Sequence, residues 1–264
     1  MADEKANQLM TGNVPDRLQF LSEVPRAGAE AAAFAMAWPL LTRLPQGDGH
    51  TVMVLPGFTA NDTSTLPLRR LLSSLGYDAH GWDQGTNMGR APGQREALLA
   101  RLDELHGRSG RKISLIGQSL GGIFARELAR ARPQQTRLVI SLGSPFSGSG
   151  VQGSNLWPFV EQITGRTAPE VSPAVRRRLA EPLQVPMTAI YSRGDGVVDW
   201  RACLQKPLNN TSENIEVRGS HSGMAVNPSV VLAIADRLAQ PEFAWRKFRF
   251  GGVKRLIFPT PSKV

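Results

Sequence analysis

A Gly-x-Ser-x-Gly motif between two apolar segments constrains the fold of this chain more than any other feature. The motif consists of Gly117, Ser119 and Gly121; an apolar run over residues 113–116 precedes it, and a helical pattern over residues 123–129 follows it. A buried strand, a tight turn and a helix are the context in which this motif presents a nucleophilic serine. Because the turn holds the serine in an unfavourable backbone conformation, the residues two positions away must be almost without side chains. The sequence therefore predicts a strand–turn–helix unit with Ser119 as the nucleophile.

Apolar runs and helical stripes alternate along the rest of the chain. The other runs with the character of buried strands cover residues 51–55, 77–82, 138–143, 187–192 and 214–217. Helical patterns cover residues 26–41, 64–75 and 94–106, and a last helix follows Asn227-Pro228. This alternation predicts the α/β class, with a mostly parallel sheet of about six strands and helices on both faces. The segment 144–186 is too long for an ordinary connection, so we expect a cap or lid there.

The chain divides into three predicted parts. Residues 1–49 form an amino-terminal part, with a loose arm over residues 1–24 and a buried alanine-rich helix over residues 26–41. Residues 50–240 form the α/β domain that holds the nucleophile and the cap segment. Residues 241–264 form a tail rich in basic and aromatic residues.

The composition indicates neither a metal nor another cofactor. The single cysteine, Cys203, excludes an internal disulfide framework. The four histidines lie far apart along the chain and lack metal-ligand spacing. We therefore expect chemistry that depends on side chains and backbone groups alone.

The amino terminus lacks a basic start followed by an apolar core, so we expect no secretory signal and a cytoplasmic location. The most apolar stretch, residues 27–41, is interrupted by Glu30 and Pro39. It is also too short to span a bilayer. Any membrane contact is therefore expected to be peripheral.

The carboxyl-terminal tail concentrates positive charge. Residues 245–264 hold six basic and no acidic residues, in a chain of formal net charge +9, and residues 245–250 alternate basic and aromatic side chains. Such a segment can lie on an anionic membrane surface, where each cation contributes about 1 kcal/mol. The alternative is an arm packed on its own domain or on a second subunit. No nucleic-acid-binding module is recognisable, so we expect no nucleic-acid partner; the sequence leaves the oligomeric state open.

A serine becomes a good nucleophile when a base takes its proton and an acid orients that base. In proteins with such a strand–turn–helix unit, called a nucleophile elbow, the acid and then the histidine follow the serine along the chain. Asp195 comes soon after the predicted strand 187–192 and is the predicted acid, with Asp199 as the alternative. His221 follows the last predicted strand and is the only histidine after Ser119, so it is the predicted base.

Two backbone N–H groups are predicted to stabilise the developing oxyanion. One belongs to Leu120, directly after the nucleophile, and the other to Phe58 in the loop after the first strand, with Thr59 as the alternative. Asn87 and Met88, in the loop after the second strand, are further candidates for lining the site. The predicted substrate-binding residues are aromatic side chains in or beside the cap: Phe146, Trp157 and Phe159. Alternatively, these three aromatic side chains pack the cap onto the sheet and do not contact substrate.

These motifs resemble the α/β-hydrolase superfamily, in its serine esterase and lipase branch. The resemblance rests on residues 56–58, 117–122, 192–198 and 219–221 and covers roughly residues 50–240. It implies an eight-stranded sheet in full form, of which this chain lacks the first two strands and has the alanine-rich helix instead. Many members have His-Gly where this chain has Pro56-Gly57, and many lipases have His where this chain has Gln118. These differences favour an esterase-like protein over a specific triglyceride lipase.

The expected activity is hydrolysis of a small-molecule or lipid carboxylic ester through an acyl-enzyme on Ser119. Acyl transfer to an alcohol or thiol is the alternative, because the same triad performs it and the cap selects the acceptor. A non-catalytic binding module is the less favoured hypothesis, since serine, aspartate and histidine occur intact and in order.

Overall fold

Six parallel strands form a sheet at the centre of the computed structural model, which describes residues 15–89, 91–147, 172–252 and 254–259. In chain order the strands are β1 (Thr51–Leu55), β2 (Asp78–Gly81), β3 (Ile113–Gln118), β4 (Thr136–Leu142), β5 (Met187–Ser192) and β6 (Ser212–Val217). Across the sheet the order is β2-β1-β3-β4-β5-β6, with parallel pairing throughout. The predicted α/β class and the six-stranded sheet are confirmed.

Helices cover both faces of the sheet. Within the described ranges they are α1 (Arg17–Leu21), α2 (Glu23–Leu41), α3 (Asp62–Ser74), α4 (Gln94–Ser109), α5 (Leu120–Ala131), α6 (Pro173–Ala180), α7 (Pro228–Leu238) and α8 (Lys254–Ile257). One apolar core lies between the sheet and α2, α3 and α7, and a second lies between the sheet and α4, α5 and α6. Strands covered on both faces are mostly apolar, which is why β1, β3 and the apolar part of β4 could be recognised from the sequence.

The predicted site residues meet at one edge of the sheet. Ser119 follows β3, Asp195 follows β5 and His221 follows β6. In a parallel sheet these carboxyl ends share an edge, and that edge is where open α/β sheets bind their ligands. The strand order therefore brings together residues that are far apart in the sequence.

The amino-terminal part differs from the predicted loose arm. Residues 17–21 form helix α1, whose start is capped by Asp16, with its carboxylate accepting the Leu18 N–H at 3.2 Å. Helix α2 begins at Glu23, earlier than predicted. The arm prediction is therefore wrong for the residues described from 15 onward, and residues 1–14 lie outside the described part.

Helix α2 lies on the surface, and the prediction that it is buried is wrong. Phe34 and Leu41 pack into the core, whereas Met36 and Leu40 are 77% and 67% exposed. A helix rich in alanine carries apolar residues on every side, so its periodicity does not indicate which face is buried.

The carboxyl-terminal tail packs on its own domain. Phe248 and Phe258 are buried and join the core beneath α2, α3 and α7. The Phe248 N–H donates to the buried Glu213 carboxylate at 2.6 Å, and Glu213 pairs with Arg237 of α7 at 2.8 Å. Three neighbouring basic residues are exposed: Arg246, Lys247 and Arg249.

Most of the expected cap lies outside the described residues. Of the segment 144–186, the structure describes residues 144–147 and 172–186. The second range contains α6, in which Arg178 pairs with Glu127 of α5 at 3.0 Å. Among the described helices, none has the length and apolar character required to cross a membrane.

Candidate active site

Ser119 occupies the turn between β3 and α5 with a backbone conformation that few side chains adopt. Its φ and ψ are 51° and −120°, outside the regions that L-residues favour. Close packing explains the two glycines, because a side chain at Gly117 would overlap the Gly121 backbone and one at Gly121 would overlap the Leu55 carbonyl. The Ser119 N–H donates to the Leu142 carbonyl at 2.8 Å, which fixes the turn against β4.

Asp195 and His221 form a buried hydrogen-bonded pair. Asp195 Oδ2 and His221 Nδ1 are 2.7 Å apart. The other carboxylate oxygen accepts the N–H groups of Val197 and Val198 at 2.9 and 2.8 Å, so the carboxylate is held in this orientation. Asp199, the alternative acid, instead caps the 3₁₀ turn that follows it. Of the two aspartates, Asp195 is the one in contact with His221.

The pKa of His221 is raised above its ordinary value. Burial by itself favours the neutral imidazole and lowers the pKa. The charge and hydrogen bond of Asp195, together with the charge of Glu23, favour the imidazolium and outweigh burial. A raised pKa makes the imidazole a stronger base, but it also means that protonation removes the base at a higher pH.

Ser119, Asp195 and His221 all lie next to the carboxyl end of β4. A Cβ atom on Gly143 would lie 3.1 Å from His221 Nδ1 and 3.2 Å from Asp195 Oδ2. The preceding residue of β4 accepts the Ser119 N–H, so the elbow and the Asp195–His221 pair pack against neighbouring positions. Gln118 adds a direct link, because its Nε2 donates to the His221 carbonyl at 3.1 Å.

The loop after β1 lies beside the nucleophile. A Cβ atom on Gly57 would be 3.4 Å from the Ser119 Cβ atom, in ordinary contact. Phe58 follows directly and is half-buried. Leu120 is the first residue of α5, and N–H groups in the first turn of a helix have no acceptor within that helix. The two predicted oxyanion donors therefore belong to a loop in contact with Ser119 and to the helix that follows it.

Asn87 holds the loop after β1 in shape. Its carbonyl accepts the Thr59 N–H at 2.7 Å, and its side-chain amide donates to the Pro56 carbonyl at 2.8 Å. The first bond engages the Thr59 N–H, the alternative oxyanion donor. Asn87 is completely buried, so it supports the loop, whereas the neighbouring Met88 is 45% exposed.

Two curated proteins align with parts of this chain. A bis(hydroxyethyl) terephthalate hydrolase of Streptomyces coelicolor is 34% identical over 99 residues, which cover 35% of this chain and 32% of the relative. The mitochondrial palmitoyl-protein thioesterase ABHD10 of Bos taurus is 21% identical over 204 residues, which cover 65% of each protein. The matched parts thus span about a third and just under two thirds of these relatives. No protein-family model matches the chain.

A solved structure from the LipS and LipT pair of metagenome-derived lipolytic enzymes superposes on this chain with a TM-score of 0.56. The superposition covers 74% of this chain and 95% of the other at 15% sequence identity. The chain has the α/β-hydrolase fold. The predicted chain order is also present: Ser119 follows β3, Asp195 follows β5 and His221 follows β6.

In this α/β-hydrolase fold, the predicted substrate-binding aromatics take different places. Phe146 is 2% exposed, and its ring centre lies 3.8 Å from the guanidinium carbon of the buried Arg126. A guanidinium on the ring face is a favourable contact that keeps the ring inside the protein. The prediction that Phe146 contacts substrate is therefore corrected to core packing. Trp157 and Phe159 lie outside the described residues.

A second Ser-His-Asp arrangement occurs at the opposite edge of the hydrolase sheet. His50 Nδ1 lies 2.5 Å from Asp48 Oδ1, and His50 Nε2 lies 2.8 Å from Ser114 Oγ. His50 and Ser114 are completely buried, and burial lowers the pKa of His50. No substrate reaches such a serine, so these bonds join the starts of β1 and β3. In the described ranges, no three His, Cys, Asp or Glu side chains are grouped to hold a metal ion.

Two acidic residues at the site were not predicted from the sequence. Glu23 of α2 is 3% exposed, and its Oε1 accepts the N–H groups of His221 at 3.0 Å and Gly196 at 2.9 Å. Glu30, two turns further along α2, accepts the Ser220 N–H at 2.7 Å. The signal in the sequence is a pair of acids seven residues apart, and hence on one face, in a helix with Arg26 as its one further charged residue.

Proposed function

We propose that this chain is a serine hydrolase that cleaves carboxylic esters through an acyl-enzyme. The observation that carries the proposal is the gathering of the strained Ser119 and the buried Asp195–His221 pair at the end of β4. The two curated relatives add support, since one is named as a bis(hydroxyethyl) terephthalate hydrolase and the other as a palmitoyl-protein thioesterase. Each name describes cleavage of an acyl group from its leaving group.

In the first proposed step, His221 Nε2 takes the hydroxyl proton of Ser119 while Oγ bonds to the ester carbonyl carbon. Asp195 keeps Nδ1 of the imidazole protonated and stabilises the imidazolium that forms. The carbonyl oxygen becomes an oxyanion, which accepts hydrogen bonds from the N–H groups of Leu120 and Phe58. Loss of one such donor costs about 3 kcal/mol of transition-state stabilisation.

The tetrahedral intermediate then collapses and breaks the bond to the alcohol oxygen. The alcohol leaves with the proton from His221, and the acyl group stays on Ser119. Water next gives a proton to His221, attacks the acyl carbon and releases the acid with the Ser119 hydroxyl restored. An alcohol or thiol in place of water would give acyl transfer, so product analysis with added methanol separates the two reactions.

A cavity between α4, α5 and α6 is the acyl-binding region that we propose. Its volume is about 320 Å³, within the range of small-molecule sites. The apolar part of its lining comprises Leu98, Leu99, Phe124, Leu128, Val175 and Leu179, and charged residues such as Glu127 and Arg178 complete it. Phe124 lies five residues after Ser119 on α5, which corresponds to about 7–8 Å along the helix axis.

Covalent labelling by a fluorophosphonate tests the proposed nucleophile. The wild-type protein is expected to gain one adduct by intact mass, located on the peptide that contains Ser119, because the probe phosphonylates activated serines. The Ser119→Ala variant is expected to gain none, and wild-type protein unfolded before labelling controls for unspecific reaction. Equal labelling of Ser119→Ala and wild type would refute the assignment.

A further inference from the structure

Helix α2 turns its charged side chains inward, whereas its solvent-exposed side chains are apolar. Glu23, Arg26 and Glu30 are its charged residues, and none of them is exposed. Its exposed positions carry Val, Pro, Gly, Ala, Met and Leu. An ordinary surface helix has the opposite arrangement. The inward-facing charges of α2 therefore require a partner inside the protein.

That partner is the base loop, residues 219–223, which carries His221. The His221 N–H donates to Glu23 Oε1 and the Ser222 N–H donates to Glu23 Oε2, both at 3.0 Å. The Ser220 N–H donates to Glu30 at 2.7 Å, and the Ser220 hydroxyl donates to the same carboxylate at 2.8 Å. Two carboxylates thus hold three consecutive backbone N–H groups centred on His221.

The first and last N–H groups of the base loop also donate to side-chain oxygens. The Gly219 N–H donates to Ser192 Oγ at 3.2 Å, and the Gly223 N–H donates to Ser220 Oγ at 3.0 Å. All five N–H groups of the loop are therefore engaged by side chains. Such a loop has little freedom to move without losing several hydrogen bonds.

Glu23 joins the base loop to the loop that carries the acid. Its Oε1 accepts the Gly196 N–H at 2.9 Å, one residue after Asp195, as well as the His221 N–H. The Arg26 guanidinium donates to the same oxygen at 2.8 Å. One buried carboxylate therefore fixes the spacing between the backbone segments of Asp195 and His221.

We propose that Glu23 is a positioning residue for the His221 base and that Glu30 supports it, so that helix α2 is part of the active site. The inference rests on the proposed serine hydrolase function. It assigns to Glu23 the task of holding the imidazole at reacting distance from Ser119. A displacement of about 1 Å at such a site can lower the rate about 100-fold.

Glu23 also affects His221 through its charge. Asp195 from the acid loop and Glu23 from α2 are the charged groups that act on His221. Arg26 bonds to Glu23, and Glu30 bonds to Ser220. The carboxylate of Glu23 raises the pKa of His221, while the paired Arg26 offsets part of that charge. Removal of the Glu23 charge therefore lowers the pKa of His221, and the acidic limb of kcat/KM moves to lower pH.

The test compares Glu23→Gln and Glu30→Gln with Glu104→Gln, a control on the exposed side of α4. Glu23→Gln is expected to lower kcat at least about tenfold with KM unchanged, because Glu23 does not touch substrate. In Glu23→Gln, the acidic limb of kcat/KM is expected to move to lower pH. The pKa of the His221 ring, measured by NMR, is expected to fall in parallel; the His221→Ala variant identifies the signal of this ring. Glu30→Gln is expected to lower kcat severalfold without moving the limb, and Glu104→Gln is expected to match the wild type.

The proposal is overturned if Glu23→Gln retains the wild-type kcat and the wild-type pKa of His221. A lower melting temperature with unchanged kcat per labelled Ser119 also overturns it, because Glu23 would then be structural alone. If Glu23→Gln does not fold, Glu23→Asp keeps the charge but shortens the reach. That variant is expected to lose kcat with the acidic limb in place, and a wild-type kcat would overturn the proposal.

The NMR titration needs no substrate, so it separates two failures. An unmoved pKa of His221 in Glu23→Gln counts against the positioning proposal. A wild-type protein that turns over no ester, while Glu23→Gln still lowers the pKa of His221, counts against the proposed function only.

Discussion

Two aspartates separated by four positions have different tasks at the scale of single residues. Asp195 binds Nδ1 of His221, whereas Asp199 caps a 3₁₀ turn. Asp195→Asn is expected to lower kcat about 10³–10⁴-fold, because an amide there favours the wrong imidazole tautomer. Asp199→Asn, the control in the same loop, is expected to stay within about threefold of wild type. Steady-state kinetics on one short-chain ester measure both, and the reverse ranking would make Asp199 the acid.

The sequence specifies some of these residues and not others. Ser119 and His221 could be predicted as nucleophile and base because the glycine spacing and the chain order leave few alternatives. The choice between Asp195 and Asp199 depends on loop geometry after β5, which no local pattern encodes. Glu23 could not be found, because it lies 198 residues from His221 in the sequence and meets it only through packing of α2.

At the scale of secondary-structure elements, a buried arginine joins α5 to α6. Arg126 of α5 donates to the carbonyls of Leu179 and Glu181 at the end of α6, both at 2.8 Å. These are carbonyls that a helix leaves without internal partners. Burial lowers the pKa of Arg126 to about 9, with a further contribution from the charge of Arg130, so the guanidinium stays charged at neutral pH.

Arg126→Met tests this link between the helices. The substitution is expected to lower the free energy of unfolding by about 1–3 kcal/mol, because the buried Gln205 amide oxygen loses its donor. The two carbonyls keep a donor in Arg130. Arg95→Met, on the exposed side of α4, is expected to change it by less than about 0.5 kcal/mol. Chemical denaturation measures both variants, and a stability of Arg126→Met equal to that of Arg95→Met would contradict the assignment.

The strands could be predicted more closely than the helix environments. β4 begins at Thr136, two residues before the predicted start. Its first two residues are buried but polar, so the apolar pattern did not include them. The predicted burial of α2 was wrong for a different reason. Alanine packs equally well inside and outside, so only the tertiary partners of Glu23 and Glu30 determine which face turns inward.

At the scale of the whole molecule, positive charge and aromatic residues separate in the tail. Phe248 and Phe258 pack into the core, while Arg246, Lys247 and Arg249 stay exposed. Lys254 is half-buried and pairs with Asp236 at 2.9 Å. The alternating sequence could suggest either membrane contact or packing, because it does not say which side chains turn inward. We propose that the tail contacts an anionic membrane surface through these exposed cations and not by insertion of its aromatic side chains.

Charge reversal tests this proposal better than deletion of the tail, which would also remove Phe248 and Phe258 from the core. The triple variant Arg246→Glu, Lys247→Glu and Arg249→Glu is expected to bind phosphatidylserine vesicles at least about 100-fold more weakly, since each cation contributes about 1 kcal/mol. Its turnover of a short-chain ester is expected to be unchanged. Vesicle co-sedimentation across a range of lipid concentrations measures the binding.

A matched triple variant controls for net charge in this vesicle experiment. It reverses three exposed arginines outside the tail: Arg95, Arg108 and Arg177. Binding lost equally in both triple variants would show an effect of overall charge, and binding retained by the tail variant would show that the tail makes no contact. Either result would remove the tail from the proposed surface.

Ester turnover by the wild type beside Ser119→Ala is the decisive test of the proposed serine hydrolase activity. The substrates are p-nitrophenyl esters with acyl chains from two to sixteen carbons. We predict turnover by the wild type, with a chain-length optimum set by the cavity between α4, α5 and α6, and a loss of at least about 10³-fold in Ser119→Ala. Turnover that persists in folded Ser119→Ala, or a folded wild type without activity on any of these esters, would refute the proposed serine hydrolase activity.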